Sequence, residues 1–272
     1  MKILFLGDVV GKAGRVAVAH HLPKLVKHYA ADLVVVNGEN ATHGFGISPD
    51  AAEELFRSSV DVITTGNHAF DRADSLNYFA VQERLIRPLN FHGLAPGAGM
   101  ACGEMKNGKN FLVANVIGQL FMGSYDDPFS ALDKIIGQNN PMLQGYDAIV
   151  VDVHAEATSE KQAIGYYLDG RVSLVVGTHT HVPTADTRLL EKGTAYQTDA
   201  GMCGCYDSVI GMEKTKVLKR FLKNYPLPRL EPASGVASLF GVVVETDDKT
   251  GLAVGIERLE IKAQDEQEID RF

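Results

Sequence analysis

The sequence predicts an α/β fold: two β-sheets packed face to face, with helices on the outside. Three observations predict it. Short, near-continuous apolar runs recur along most of the chain, as strands buried on both faces require. Helical stretches separate the early runs, which is the βαβ alternation of parallel strands. The end of the chain instead alternates apolar and polar residues about a short polar turn, the pattern of an antiparallel hairpin. With 272 residues, 45% hydrophobic and 22% charged, the chain can bury a sizeable core without disulfides. It contains no internal repeat or linker composition, so a single domain over residues 1–272 is expected.

Taken in order, Lys2–Gly7 is the first buried strand, and it ends at Asp8. Gly11 and Gly14 then lead into a helix over about Arg15–Tyr29; they match neither G-x-x-x-x-G-K-[ST] nor G-x-G-x-x-G and read as tight-turn residues rather than a phosphate loop. His20, His21 and His28 on that helix read as surface or packing residues. Asp32–Asn37 is the second strand, ending in Gly38-Glu39-Asn40. Ser48 before Pro49 is an N-cap with proline at the first helical position. Val60–Thr65 is the third strand, ending in Gly66-Asn67-His68. Helical pieces follow over about Asp71–Tyr78 and Val81–Ile86, then a glycine-rich region, Asn90–Gly108, with room for one edge strand. Asn110–Ile117 is a strand, Gly118–Pro128 a loop and Ser130–Ile136 a helix. Ala148–Val153 is a strand ending in His154, followed by a helix over Ser159–Leu168. Val172–His181 continues the series and Thr194–Thr198 ends in Asp199. A basic helix covers Lys214–Asn224, and Gly235–Glu245 with Gly251–Ile261 forms the hairpin.

Composition excludes several classes. A net charge of −8 argues against a protein that coats long nucleic acid, because phosphate neutralisation needs lysine and arginine. The apolar start is too short for a signal peptide and no run is long enough to span a bilayer. Three cysteines, with no C-x-x-C, imply neither a disulfide framework nor a structural zinc site, and Cys203-Gly-Cys205 lacks further ligands nearby. A reducing cytoplasm is the expected location. A homo-oligomer is compatible with the sequence.

The chemistry lies at the strand ends. Six apolar runs finish in oxygen or nitrogen donors: Asp8, Glu39 with Asn40, Asn67 with His68, His154, His179 with His181, and Asp199. In open α/β sheets ligands sit beyond the carboxyl ends of the strands, so parallel strands would bring these groups together. In an extended backbone His179 and His181 would face one side. Asp8, Glu39, Asn67, His154, His179 and His181 are six ligands without sulfur. They suffice for two metal ions ~3.5–4 Å apart sharing a carboxylate. Such a shell suits iron or manganese, and zinc after them, better than calcium. Two dications against two carboxylates leave a positive centre able to hold a phosphate ester. His68 beside Asn67 is then the general acid for a leaving oxygen. This supports metal-assisted phosphoester hydrolysis, by in-line attack of a metal-bound hydroxide, on a small phosphodiester or nucleotide. A phosphomonoesterase or nucleotidase using the same centre, and a regulatory ligand-sensing protein with slow turnover, remain alternatives.

The motifs Gly7-Asp8-Val-Val-Gly11, Asn37-Gly-Glu-Asn40, Thr65-Gly-Asn-His68, Asp152-Val-His-Ala-Glu-Ala-Thr158, Gly177-Thr-His-Thr-His181 and Thr198-Asp-Ala-Gly201 resemble those of the calcineurin-like metallophosphoesterases, and more closely those of the YmdB-like family. The chain departs from the broad superfamily at Val10, where a histidine is usual, at Glu39-Asn40 and at Ala69, and it agrees there with the YmdB-like variant. The resemblance implies a helix-flanked two-sheet sandwich and a phosphodiesterase with 2′,3′-cyclic nucleotides among its substrates. It implies Asp8, Glu39 and His181 around one metal, and Glu39, Asn67, His154 and His179 around the other. Asn40 would sit beside Asp8 or the phosphate.

Overall fold

The computed structural model describes residues 1–105, 107–137, 145–223 and 229–262. Two sheets face each other. The first has the order β13 (Ala253–Ile261), β12 (Leu239–Thr246), β1 (Lys2–Leu6), β3 (Leu33–Asn37), β4 (Val62–Thr64). The second has the order β5 (Met100–Glu104), β6 (Asn110–Ile117), β7 (Ala148–His154), β8 (Leu174–Thr178), β10 (Ala195–Gln197), β9 (Arg188–Leu189). A short parallel pair joins β2 (Asp8–Val9) to β11 (Met202–Cys203).

The run-like character of the strands follows from two cores. In β1, Ile3 and Phe5 point between the sheets, where they meet Val113, Val150, Leu174 and Val176. Leu4 and Leu6 point outward, into a core shared with Val18, Leu22, Ala52 and Leu55 of the helices α1 (Gly11–Tyr29) and α2 (Pro49–Arg57). The second sheet repeats the arrangement: Leu112, Ile149 and Val151 pack outward on Leu132 of α4 (Pro128–Ile136) and Ile164 of α5 (Thr158–Tyr167). Alternate residues thus enter different cores, and neither set can be polar. The expected helix–sheet–sheet–helix arrangement is the one observed.

Within each sheet the site-bearing strands run the same way. β1 pairs parallel with β3, and β3 with β4. β6, β7, β8 and β10 pair parallel in series. Their carboxyl ends therefore lie along one edge of each sheet. The antiparallel β12–β13 hairpin closes the other flank of β1.

Two local expectations change, and the end of a third lies outside the described residues. Val81–Ile86 is not a helix beyond α3 (Leu76–Val81): Leu85 bridges Ile63 in parallel, and Ile86 N donates to Ile63 O, so this segment extends the edge of the first sheet. Gly11 has φ +61 and opens the turn as expected, but Gly14 serves close packing, because a Cβ there would lie 2.2 Å from Cys203 O. The basic helix α6 is described over Lys214–Lys223, and Asn224 lies outside the described residues. No helix among the described residues is long and apolar enough to cross a membrane.

Gly177, just before the two histidines, is a sheet-packing glycine. Its Cβ would lie 1.8 Å from Thr198 O on β10's side and 2.8 Å from Lys161 Cδ. Gly177→Ala should lower stability by ~1–3 kcal/mol or more, the usual cost of overpacking, in urea unfolding. A neutral substitution would contradict this packing.

Candidate metal centre

Each functional side chain hangs from the end of a parallel strand, and the two sheets meet where those ends converge. Donor atoms of Asp8, Glu39 and His181 lie within 4.8 Å of one another, as do those of Glu39, His154 and His179. Glu39 belongs to both groups. Asn67 joins the second group, its Oδ1 being 3.1 Å from His154 Nε2. Asn40 joins the first, with Oδ1 3.1 Å from His181 Nε2. Its Nδ2 is committed to Gly44 O at 3.0 Å, so the amide turns its oxygen, not its nitrogen, to the cluster. Of the nine side chains expected at the strand ends, seven thus contribute donors at one place, and His68 and Asp199 do not.

The two histidines of the Gly177–His181 stretch get there differently from the expectation. β8 stops at Thr178, and His179 and His181 have φ of 98° and 64°. The segment is not extended, and the rings do not share a face by strand alternation. His179 joins Glu39 and His154, while His181 joins Asp8 and Glu39. Positive φ is costly for a residue with a Cβ, of order 1–3 kcal/mol, and persists only where the surroundings fix it.

Each imidazole spends one nitrogen on an outer partner and aims the other inward. His154 Nδ1 meets Thr178 Oγ1 at 2.9 Å, and that hydroxyl donates to Asp152 Oδ1 at 2.7 Å. His181 Nδ1 donates to Ile210 O at 2.8 Å. His179 Nε2 lies 3.2 Å from Glu156 Oε2. That leaves His154 Nε2 3.1 Å from Glu39 Oε1 and 3.1 Å from His179 Nδ1. Outer partners of this kind fix the tautomer and ring orientation of metal-binding histidines.

The charges show what the cluster needs. Burial pushes the Asp8 carboxyl up to about 7, against the opposing pull of His181 and His154. Burial works against charge on Glu39 as well, yet His154 and its hydrogen bond outweigh it and hold Glu39 down at about 2. His154 is desolvated, but the Glu39 and Asp8 carboxylates raise it to about 9. Burial and the neighbouring His154 lower His179 to about 3. Asp8 Oδ1 is buried and accepts no hydrogen bond from the described residues, a state that normally calls for a partner. A Cβ on Gly66 would lie 2.3 Å from both Glu39 Oε2 and His154 Nε2, so only glycine leaves the donors their space. A buried, sulfur-free set of carboxylate, amide and imidazole donors with an orphaned carboxylate oxygen fits divalent cations.

His68 stands beside this centre. Its backbone N–H donates to Glu39 Oε2 at 3.2 Å, its Nδ1 is 2.8 Å from Asp71 Oδ2, and its ring meets the edge of Phe45 at 5.1 Å. From sequence, Asp71, Asp152, Glu156 and Lys161 carry no assigned role, and Asp199 stands only as a strand-end donor. Asp152 carried a signal, a carboxylate inside the apolar run Ala148–Val153. Burial raises it, while hydrogen bonds from Thr64, Thr178 and Asn37 oppose the rise. Asp199, at the end of β10, is not among the clustered donors and pairs with Lys161 Nζ at 2.7 Å. Cys203 and Cys205 are buried, with their sulfurs near the Phe240 and Ser234 carbonyls.

Residues 4–259 match the family model described as YmdB-like protein. Among curated proteins, a 2′,3′-cyclic-nucleotide 2′-phosphodiesterase of Bacillus subtilis (strain 168) is 46% identical over 259 residues, covering 95% of this chain and 96% of that one. Among solved structures, a phosphatase from Mycoplasma pneumoniae is 37% identical with a TM-score of 0.88, covering 96% of this chain and 93% of that one. The calcineurin-like phosphoesterase YfkN of Bacillus subtilis has a TM-score of 0.56 at 13% identity over 97% of this chain and 91% of its own, a likeness of fold alone.

Because Glu39 is common to both donor groups, Glu39→Gln should lower metal content at both positions. The expected loss of affinity exceeds the ~10–100-fold that follows removal of an outer-shell partner. Elemental analysis of manganese-loaded, dialysed protein measures it, and a wild-type metal count would refute the shared role.

Proposed function

The chain belongs to the YmdB-like family, and from that premise and the geometry above we propose that it is a metal-dependent phosphodiesterase that opens small cyclic phosphodiesters of the 2′,3′-cyclic-nucleotide kind. The observation that carries the reading is the pair of buried donor groups sharing Glu39, with His68 beside them. Asp8, Glu39, Asn40 and His181 would hold one cation, and Glu39, Asn67, His154 and His179 the other. Manganese or iron is the expected identity. When bound, two such ions acidify water and neutralise charge on the phosphate oxygens.

The chain's own residues do the rest. Asp71 accepts from His68 Nδ1, which leaves Nε2 to face the substrate. Opening the ring adds water: its oxygen forms a new bond to phosphorus, the ring P–O bond opposite breaks, and the departing alkoxide takes its proton from His68 Nε2. The product is a phosphomonoester with one free hydroxyl. The 71–75 turn holds this geometry, since Arg72 pairs with Asp74 and the Ser75 hydroxyl donates to Arg72 O. The three free cysteines are in keeping with a reducing, cytoplasmic setting.

His68→Ala should keep its metal content and lose ~10²–10⁴ in turnover, as for a lost general acid. Asp71→Asn should lose less, because the ring remains. The decisive measurement is turnover of manganese-loaded protein on a panel of 2′,3′-cyclic nucleotides and phosphomonoesters. Preference for the monoesters would move the activity to a phosphomonoesterase, and undiminished turnover in His68→Ala would remove that residue from the chemistry.

A further inference from the structure

Glu160 and Lys161 are neighbours in the first turn of α5, and both are buried, at 8% and 1% exposure. An acid and a base side by side in a protein interior call for an explanation. Adjacent helical residues point about 100° apart, so the two side chains diverge rather than pair with each other. Each reaches a different loop at the strand ends.

Lys161 Nζ donates to Asp199 Oδ2 at 2.7 Å. Asp199 also accepts from Thr180 N at 3.1 Å and from Gly201 N at 2.9 Å. Thr180 lies between His179 and His181, the two clustered histidines with positive φ. The lysine thus fixes, through one carboxylate, the strained segment that delivers both rings. Gly177 leaves the lysine stem its space, since a Cβ there would meet Lys161 Cδ at 2.8 Å.

Glu160 turns the other way. Its Oε1 accepts from Gln119 N at 2.8 Å and its Oε2 from Leu120 N at 3.3 Å. Gly118 makes room for it, because a Cβ there would lie 2.4 Å from Oε2. The segment starts at the centre, where Gly118 N donates to His154 O at 3.0 Å. It leads to Phe121, 90% exposed at φ 67°, and to Tyr125, which stacks on Phe91 at 5.1 Å. Phe91 in turn packs on Phe70 at 5.7 Å, two residues along from His68, so this loop also returns toward the centre.

We infer that Glu160 and Lys161 are positioning residues with separate tasks: Lys161, through Asp199, holds the histidine segment for the metal ions, and Glu160 holds the 118–120 segment as a wall for the substrate. The second task rests on the phosphodiesterase reading, and the first does not.

The test uses full-length protein loaded with manganese and dialysed, with 2′,3′-cyclic AMP as substrate. Lys161→Met should bind manganese ~10–100-fold more weakly, as for a lost outer-shell partner, with KM within about twofold of wild type at saturating metal. Glu160→Gln gives up a charged acceptor for two amides. It should keep its metal content and raise KM roughly fivefold to tenfold. A generic loss of stability would move both variants in the same parameter, so the split is the informative result. Lys161→Met leaves Asp199 buried without its cation, so the double variant Lys161→Met/Asp199→Asn serves as the control without a buried charge. Its manganese affinity should stay low, because nothing then fixes which amide atom faces Thr180. Wild-type manganese affinity in the folded double variant, or equal effects of both single variants on KM and metal content, overturns the inference. If the wild type does not cleave the cyclic diester, the functional reading fails, while metal content still decides the role of Lys161.

Discussion

The site depends on the sharing of one carboxylate between two donor groups that come from different sheets. Glu39 hangs from the first sheet, and the nitrogen nearest it, His154 Nε2 at 3.1 Å, comes from the second. Asp8 reaches the same point from β1's end, and its Oδ2 accepts the backbone N–H of His179, across the sheet boundary, at 3.2 Å. Two buried carboxylates this close repel unless positive charge lies between them. Without cations the balance falls on protons, which is why His154 is driven up and Glu39 down. With cations the same groups become ligands, and the packing of the sheets is tied to occupancy of the centre.

The outer partners of the rings show how rigidly this is built. Asp152 is reached by hydroxyls from two sheets, Thr64 and Thr178, and by the Asn37 amide at 3.0 Å. Asn37 Oδ1 in turn accepts Glu39 N at 3.1 Å. One buried carboxylate that touches no cation position thereby orients His154 and pins the backbone of Glu39. Asp199 plays the equivalent part for the segment between His179 and His181. Loop residues at positive φ would otherwise relax, and a displacement of 1 Å would separate the donors of each group.

The sandwich and the seven clustered side chains were legible in the sequence, and both for the same reason. Continuous apolar runs mark strands buried on two faces, parallel strands end at one edge, and a donor after a glycine at such an edge has few other uses. Asp8, Glu39 and Asn67, which follow Gly7, Gly38 and Gly66, needed nothing more than that. What escaped had no periodic signature. Val81–Ile86 looked amphipathic, yet a parallel bridge to Ile63 at an open sheet edge satisfied its backbone better than another helical turn. The left-handed conformations of His179 and His181 are imposed from outside the segment, by Asp199 on β10's end, and local propensity gives no hint of them. Asp71 and Glu156 lie in polar surroundings where a carboxylate is unremarkable until its distance to a ring is known.

The difference between His179 and His181 has a further physical consequence. If Thr178–His181 were extended, both rings would project from one side of one strand, and a single ion would take both. Two successive departures into positive φ turn the chain between them instead, so that a three-residue span serves both donor groups. Beside the shared Glu39, the second group then needs only Asn67 and His154 to complete it, and the first only Asp8 and Asn40. Two donor groups are assembled from four strand ends and one bent segment, and the strain of that bend is carried by a buried ion pair that contributes no donor of its own. This places the burden of precision on α5 and on the glycines that make room for it, outside the ring of donors.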